Sequence, residues 1–229
     1  MNLENYTQDQ KILIAVDCII FGFDGDQLKA LLVKRGFEPE KGRWSLMGGF
    51  ISKNETADEA ASRVLQQLTG MTQVYMEQLH VFSGVDRDKA GRVLSIAYFA
   101  LINIHEYSGQ LQSQQEARWF PLDEIPRLIF DHDAMVDKAK DLLRQKVVNQ
   151  PIGFELLPPK FTLRKLQNLY EAIYNTELDK RNFTKKMLSL GVLNRLTEKE
   201  KQSSRKGSYY YVFDYAKYNE LQSTGLRFL

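Results

Sequence analysis

Residues 48–71 read GGFISKNETADEAASRVLQQLTGM. Thr56, with Glu59 three residues on, has the form of a capping box, in which each side chain serves the other's backbone N–H. A helix is predicted over 56–69, and Gly70 stands where a left-handed residue commonly closes one. An ordinary amphipathic helix accounts for these caps. It does not account for six residues at fixed offsets: Gly49, Glu55, Arg63, Leu65, Gly70 and Met71.

Those offsets fit G-x5-E-x7-R-E-U-x-E-E-x-G-U, with U a bulky aliphatic residue, so the stretch resembles a Nudix box. The resemblance implies a pyrophosphate-cleaving ancestor with an α/β/α sandwich. The three glutamates that should hold magnesium fall on Val64, Gln67 and Leu68. Magnesium wants near-octahedral oxygen ligands, usually with carboxylates among them, and serves by polarising the phosphoryl oxygen and activating water. Valine and leucine offer no lone pair, and glutamine offers a neutral one. Glu55 and Glu59 are nearby, but two off-register carboxylates do not rebuild the cluster. The sequence therefore predicts a catalytically degenerate box, no metal site and no cofactor.

The composition fits one large or two small globular domains: 229 residues, 43% hydrophobic and 26% charged. No apolar run nears the roughly 20 residues that span a bilayer, and MNLENYTQDQK lacks the layout of a signal peptide. A cytoplasmic protein without a membrane partner is expected. The single Cys18, inside ILIAVDCIIF, has no partner for an internal disulfide and reads as a buried packing residue. His80 and His105 sit beside strand-like runs without neighbours at metal spacing.

The net charge of +2 is unevenly distributed. Residues 1–159 hold 17 Lys+Arg against 22 Asp+Glu, whereas 160–229 hold 14 against 7. An acidic body joined to a basic module points to nucleic acid for the second part. The division predicted is a Nudix-like effector domain at 1–150, a Pro-rich linker at 151–160 and a DNA-binding domain at 161–229. Prolines in the linker bar helix continuation and favour extended backbone, while Phe154, Leu156 and Leu157 predict that it packs.

In the first part, strands are predicted at 12–22 and 28–35 around the Asp24-Gly25-Asp26 turn, and at 79–85 and 93–104 around the polar turn 86–91. A second helix is predicted at 134–148. The second part reads as a helix at 162–175, another at 179–190, then strands at 192–197 and 208–213 flanking a basic hairpin. That is the layout of a winged helix-turn-helix, making the whole an α+β chain.

On the helix at 179–190, 100° spacing puts Phe183, Met187 and Leu190 on one face and Arg181, Asn182, Lys185, Lys186 and Ser189 on the other. The apolar face predicts packing on the preceding helix. The donor face is suited to a major groove, with cations for phosphate or guanine and Asn182 for adenine. Arg205 and Lys206 stand at the wing, and Arg164 on the preceding helix is a further candidate. Asp179 is the predicted N-cap.

Taken together, the chain resembles the NrtR/AraR type of Nudix-related transcriptional regulator over nearly its whole length. The degenerate box, Phe130-Asp131-His132 before a helix, LLPPKFTLRKLQNLY and LDKRNFTKKM carry the resemblance. It implies a homodimeric repressor of palindromic operator DNA whose non-catalytic Nudix domain senses a small molecule. The overall look is closer to AraR-like members, which answer to L-arabinose; NrtR members answer to ADP-ribose and related NAD metabolites. For a sugar, Asp17, Trp44, Asp86, Asp131 and His132 are the candidates, with Arg43 and Gly49 on the same segments. For a pyrophosphate, Arg35, Arg43, Arg63 and Arg92 are the available cations, although Arg63 could equally partner a carboxylate. Leu46-Met47-Gly48-Gly49 departs from the Leu-Pro-Gly-Gly common at this loop. The competing reading is a divergent pyrophosphohydrolase with metal held by Glu55, Glu59 and Asp86.

Overall fold

The computed structural model describes residues 12–70, 72, 74–89, 91–107, 116–201 and 207–223. Its first half is a mixed seven-stranded sheet built around β1 (Leu13–Phe23). One edge of β1 runs parallel to β6 (Val93–Asn103) along its whole length, and β6 in turn pairs with β5 (Tyr75–Phe82). The other edge is shared. Residues 15–18 pair with β4 (Met47–Phe50) and residues 20–23 with β2 (Leu28–Lys34). β2 also carries β3 (Trp44–Ser45) and β7 (Ala117–Pro121). The hairpin turn between β1 and β2 is made by Asp24, whose carboxylate accepts the N–H groups of Asp26 and Gln27, as its short acceptor side chain favours.

Strand alternation sends β1 side chains to opposite faces, and each face has its own core. Val16, Cys18 and Ile20 meet α1 (Ala57–Thr69) through Ala60, Ala61, Val64 and Leu65. Ile19, Phe21 and Phe23 lie in the core that holds α3 (His132–Asn149) through Met135, Ala139 and Leu143. The result is the expected α/β/α sandwich, with Cys18 fully buried. A short α2 (Ile104–Tyr107) follows β6.

The second half forms a winged helix. α4 (Leu163–Tyr174) is capped by Thr162 and α5 (Lys180–Ser189) by Asp179, whose carboxylate accepts the Asn182 N–H at 2.7 Å. β8 (Phe161–Thr162), β10 (Ser208–Phe213) and β9 (Leu193–Glu200) make a small antiparallel sheet. α6 (Tyr215–Ser223), which the sequence did not signal, closes the described chain. The wing residues Arg205 and Lys206 lie outside the described residues, as do Met71 and the Leu68 side chain.

The two halves share one core. It runs from Phe99 through Leu143 and Val147 to Leu169, Phe183 and Met187. The proline-rich stretch between them is a 3-10 turn at Pro151–Leu156, not the extended segment predicted; Pro151 opens it at N1, where its missing N–H costs nothing. Phe154 stacks against Phe161 and Phe213, which holds the turn in the winged-helix core. Three hydrogen bonds add to the join. Asn168 donates to Gly25 O, Arg144 Nε to Ile173 O and the Tyr174 hydroxyl to Arg144 O. No helix among the described residues is long and apolar enough to cross a membrane.

Candidate functional site

The box helix forms as its sequence requires. Thr56 and Glu59 complete the capping box, and Gly70 ends the helix at φ 75°. Glu55 is held by Arg63 in two bonds of 2.9 and 2.6 Å, and Arg63 also donates to Phe50 O. The Arg63 guanidinium draws the Glu55 carboxyl down to a pKa of about 2. Both residues thus serve the fold, and Arg63 is the structural partner of a carboxylate. Val64 is buried against the sheet and lies beside Gly49. Gln67 is solvent-facing, 3.5 Å from Arg63 Nη1. These residues do not fit a divalent cation, which wants clustered oxygen ligands. Among the described residues no three His, Cys, Asp or Glu side chains gather where a metal could sit, and that includes Glu55, Glu59 and Asp86.

A cavity of about 160 Å3 opens where β1, β4 and the start of α3 meet, walled by apolar groups such as Val33, Leu46, Phe50 and Phe130. Its floor is polar. Asp17 is 7% and His132 3% exposed, and their Oδ1 and Nε2 atoms stand 3.7 Å apart. Ser95 donates to Asp17 Oδ2 at 2.5 Å. The Leu46 N–H donates to His132 Nδ1 at 3.1 Å, which leaves the proton of the neutral ring on Nε2. Burial holds the His132 pKa below its ordinary value, with Asp17 opposing in part. Gly48 is required here, because a Cβ would lie 2.2 Å from Asp17 Oδ1. Met47, which stands at the proline position of the Leu-Pro-Gly-Gly pattern, takes a ladder position opposite Cys18 and is fully buried.

Arg87 crosses the same floor with a side chain only 4% exposed. It grips Asp131 with two bonds of 2.9 and 2.7 Å and lies 3.7 Å from Asp17. Asp131 therefore acts through Arg87 and does not cap α3 with its side chain. Phe130 adopts φ 51°, an uncommon region for an aromatic residue, and sets its ring against His132 and the Arg35 guanidinium. Arg35 sits at the mouth, 4.0 Å from the Phe37 ring.

Of the sequence candidates, Asp17, Arg35, Gly49 and His132 line the cavity and Asp131 stands behind it. Arg43, Trp44, Arg63, Asp86 and Arg92 do not line it. Trp44 packs edge-on against Phe120, because alternation on β3 turns Ser45 and not Trp44 toward the cavity. Arg43 pairs with Glu40 at 2.6 Å. Asp86 is exposed, while its neighbour Arg87 points inward; a polar turn gives no signal of which residue folds back. Arg92 caps Ser83 O and Gly84 O. Ser45, Ser95 and Arg87 were missed.

On α5, Phe183 and Met187 are buried, and Arg181, Asn182, Lys185, Lys186 and Ser189 are exposed, as the spacing predicts. None of the three cations makes an ion pair with a described residue. Arg164 differs. It lines a crevice of about 570 Å3 between α3, α4 and the β1–β2 turn, and acts on Glu171, away from the α5 face.

A Nudix sandwich fused to a winged helix defines a class of ligand-responsive DNA-binding regulators. Residues 11–142 match the NUDIX domain model and 153–213 the model of the NrtR DNA-binding winged helix domain. The chain is 34% identical over 205 residues to the ADPR responsive transcriptional repressor NtrR of Acinetobacter baylyi, covering 88% of this chain and 82% of that one. Shewanella oneidensis NrtR complexed with a 27mer DNA superposes with a TM-score of 0.79 at 27% identity, covering 90% and 95% of the two chains. The Nudix domain of that protein complexed with ADP ribose gives a TM-score of 0.54 at 31% identity, over 62% of this chain and 96% of that domain. The chain belongs to the NrtR-type Nudix-domain transcriptional regulators. The arabinose-responsive subtype expected from sequence finds no support among these relatives, whose named ligand is ADP-ribose.

Proposed function

We propose that this chain is a transcriptional repressor that binds operator DNA through α5 and the wing, and senses an ADP-ribose-type ligand in its Nudix domain without hydrolysing it. The observation that carries this is the joining of an emptied metal box and an unneutralised cationic helix face through one core. An ADPR-responsive repressor and an ADP-ribose-bound Nudix domain among the relatives support the choice of ligand.

The functional division is a sensor at 1–150, a packed linker at 151–160 and a DNA-binding module at 161–229, working as a homodimer on palindromic DNA. α3 is the physical link. Its first residue, His132, is in the cavity floor, and Arg144, near its far end, is hydrogen-bonded to α4. Eighteen residues make a rod of about 27 Å. A ligand that shifts the start of α3 biases the placement of α4 and α5, and by linkage a ligand that lowers DNA affinity is itself bound less tightly when DNA is present.

Thermal shift with ADP-ribose tests the reading. At 100 times its dissociation constant the ligand stabilises the folded state by about 2.7 kcal/mol, while L-arabinose leaves the midpoint unchanged. ADP-ribose also releases the protein from a duplex selected out of a randomised pool. Sustained magnesium-dependent cleavage of ADP-ribose would overturn the non-catalytic reading.

A further inference from the structure

We infer that the floor of the Asp17–His132 cavity is a hydroxyl subsite that takes the free ribose end of an ADP-ribosyl ligand, leaving the nucleotide part at the mouth; this rests on the ADP-ribose reading above. Among the described residues, Asp17 Oδ1 and His132 Nε2 have no hydrogen-bond partner, although their side chains are only 10% and 4% exposed. They face each other at 3.7 Å, too far for a direct bond. With Nδ1 occupied by the Leu46 N–H, Nε2 is a donor, and Oδ1 is an acceptor. A hydroxyl oxygen placed about 2.8 Å from both accepts from one and donates to the other.

Other groups fit less well. A phosphate only accepts, so it would meet the Asp17 carboxylate with no proton to offer. The nearby guanidinium, Arg87, is already committed to Asp131 in two bonds and lies beside Asp17. An amino group only donates and would leave the His132 N–H facing another N–H. Size agrees. About 160 Å3 holds a sugar-sized group, whereas pockets that enclose a whole ligand of drug size occupy about 300–1,000 Å3. At the mouth, Arg35 has no carboxylate partner among the described residues and stands beside the exposed Phe37 ring. A cation and an aromatic face suit a pyrophosphate and a base. The subsite is thus specific for the sugar and the mouth for the nucleotide.

Calorimetry on the full chain with ADP-ribose and with ADP, which lacks the terminal sugar, tests this. ADP-ribose is expected to bind about tenfold to a hundredfold tighter than ADP, the span of one hydrogen-bonded pair involving a charged group. Asp17→Asn should bring that ratio close to one, whereas a general loosening of the fold would weaken both ligands alike. Equal affinities in the unaltered protein, or a ratio that survives Asp17→Asn, overturn the subsite while leaving ADP-ribose as the effector. If Asp17→Asn does not fold, the ratio in the unaltered protein decides alone. Failure of ADP-ribose to bind at all sinks the effector reading and the subsite with it.

Discussion

Helices α1 and α5 have the same plan. Each is capped at its start by a side-chain oxygen, each buries an apolar stripe, and each turns a charged face outward. They differ in what those charges meet. On α1, Arg63 is taken up by Glu55 and Phe50 O, and Glu59 closes its own cap. On α5, Arg181, Lys185 and Lys186 meet no carboxylate among the described residues. Charge neutralised within the chain shapes a loop; charge left over is available to a polyanion. The Glu55–Arg63 pair shapes the loop at 50–55, while Val64 packs against the sheet and Gln67 points to water.

The contrast breaks most severely if the box is rebuilt. Val64→Glu puts the missing carboxylate into a site 3% exposed, among Val16, Met47 and Leu65. An unpaired buried charge costs about 3–5 kcal/mol, so urea unfolding should show a loss of that order and no magnesium-dependent cleavage should appear. A Val64→Glu protein as stable as its parent, and further stabilised by magnesium, would mean the metal frame is intact. On α5 the corresponding inner position is Met187, fully buried. Met187→Ala should cost about 2–5 kcal/mol, while Lys186→Ala next to it stays within about 0.5 kcal/mol. Similar losses at the two positions would erase the inner and outer faces.

How far these faces were legible follows from what each signal depends on. The box spacing, the caps at Thr56 and Asp179 and the two faces of α5 are local, set by residues within a few turns, and the structure has them where the sequence placed them. The cavity is not local. Its floor joins Asp17 on β1, Arg87 on a turn, Ser95 on β6 and His132 at the head of α3, and only tertiary pairing brings these together. Asp17 and His132 were named as hydrogen-bonding groups suited to a sugar, and His132 also lies in a stretch that carries the resemblance. Arg87 was hidden inside a run of polar residues that reads as a solvated turn, and its neighbour Asp86 was taken instead. Short β3, β4 and β7 were missed because two to five residues carry too little alternation to count. The proline stretch misled for a related reason, since Pro151 is equally at home opening a helical turn.

The outer face of α5 is the next place to sharpen the contrast. Arg181→Ala and Lys185→Ala should each weaken DNA binding without moving the thermal midpoint. Loss of a phosphate contact lowers the slope of log affinity against log salt by about 0.9 and acts equally on all duplexes. Loss of a base contact costs about 1–3 kcal/mol and relaxes sequence preference at one position. Measuring both variants on the selected and a scrambled duplex separates the two roles. Unchanged binding in both would remove α5 from the interface.

The smallest effect belongs to the pair that α1 keeps for itself. Glu55 has its pKa lowered from 4.5 to about 2, first by the hydrogen bond from Arg63 and then by the Ser52 N–H. A carboxyl with a depressed folded pKa contributes stability that is present above its unfolded pKa and is lost as pH falls toward its folded one. The Glu55 contribution is therefore complete at neutral pH and disappears between pH 4.5 and about 2. Glu55→Gln removes it at every pH, so the gap in thermal midpoint between parent and variant should be constant near neutrality and close across that acid window. Added salt should narrow the gap, since an ion pair near the surface is screened. On α5 the same experiment with Lys185→Ala has no carboxylate to titrate, and the gap should be flat throughout. A gap at Glu55 that persists undiminished below pH 3 would show that packing, and not charge, holds the loop, and the distinction between the two helices would then rest on α5 alone.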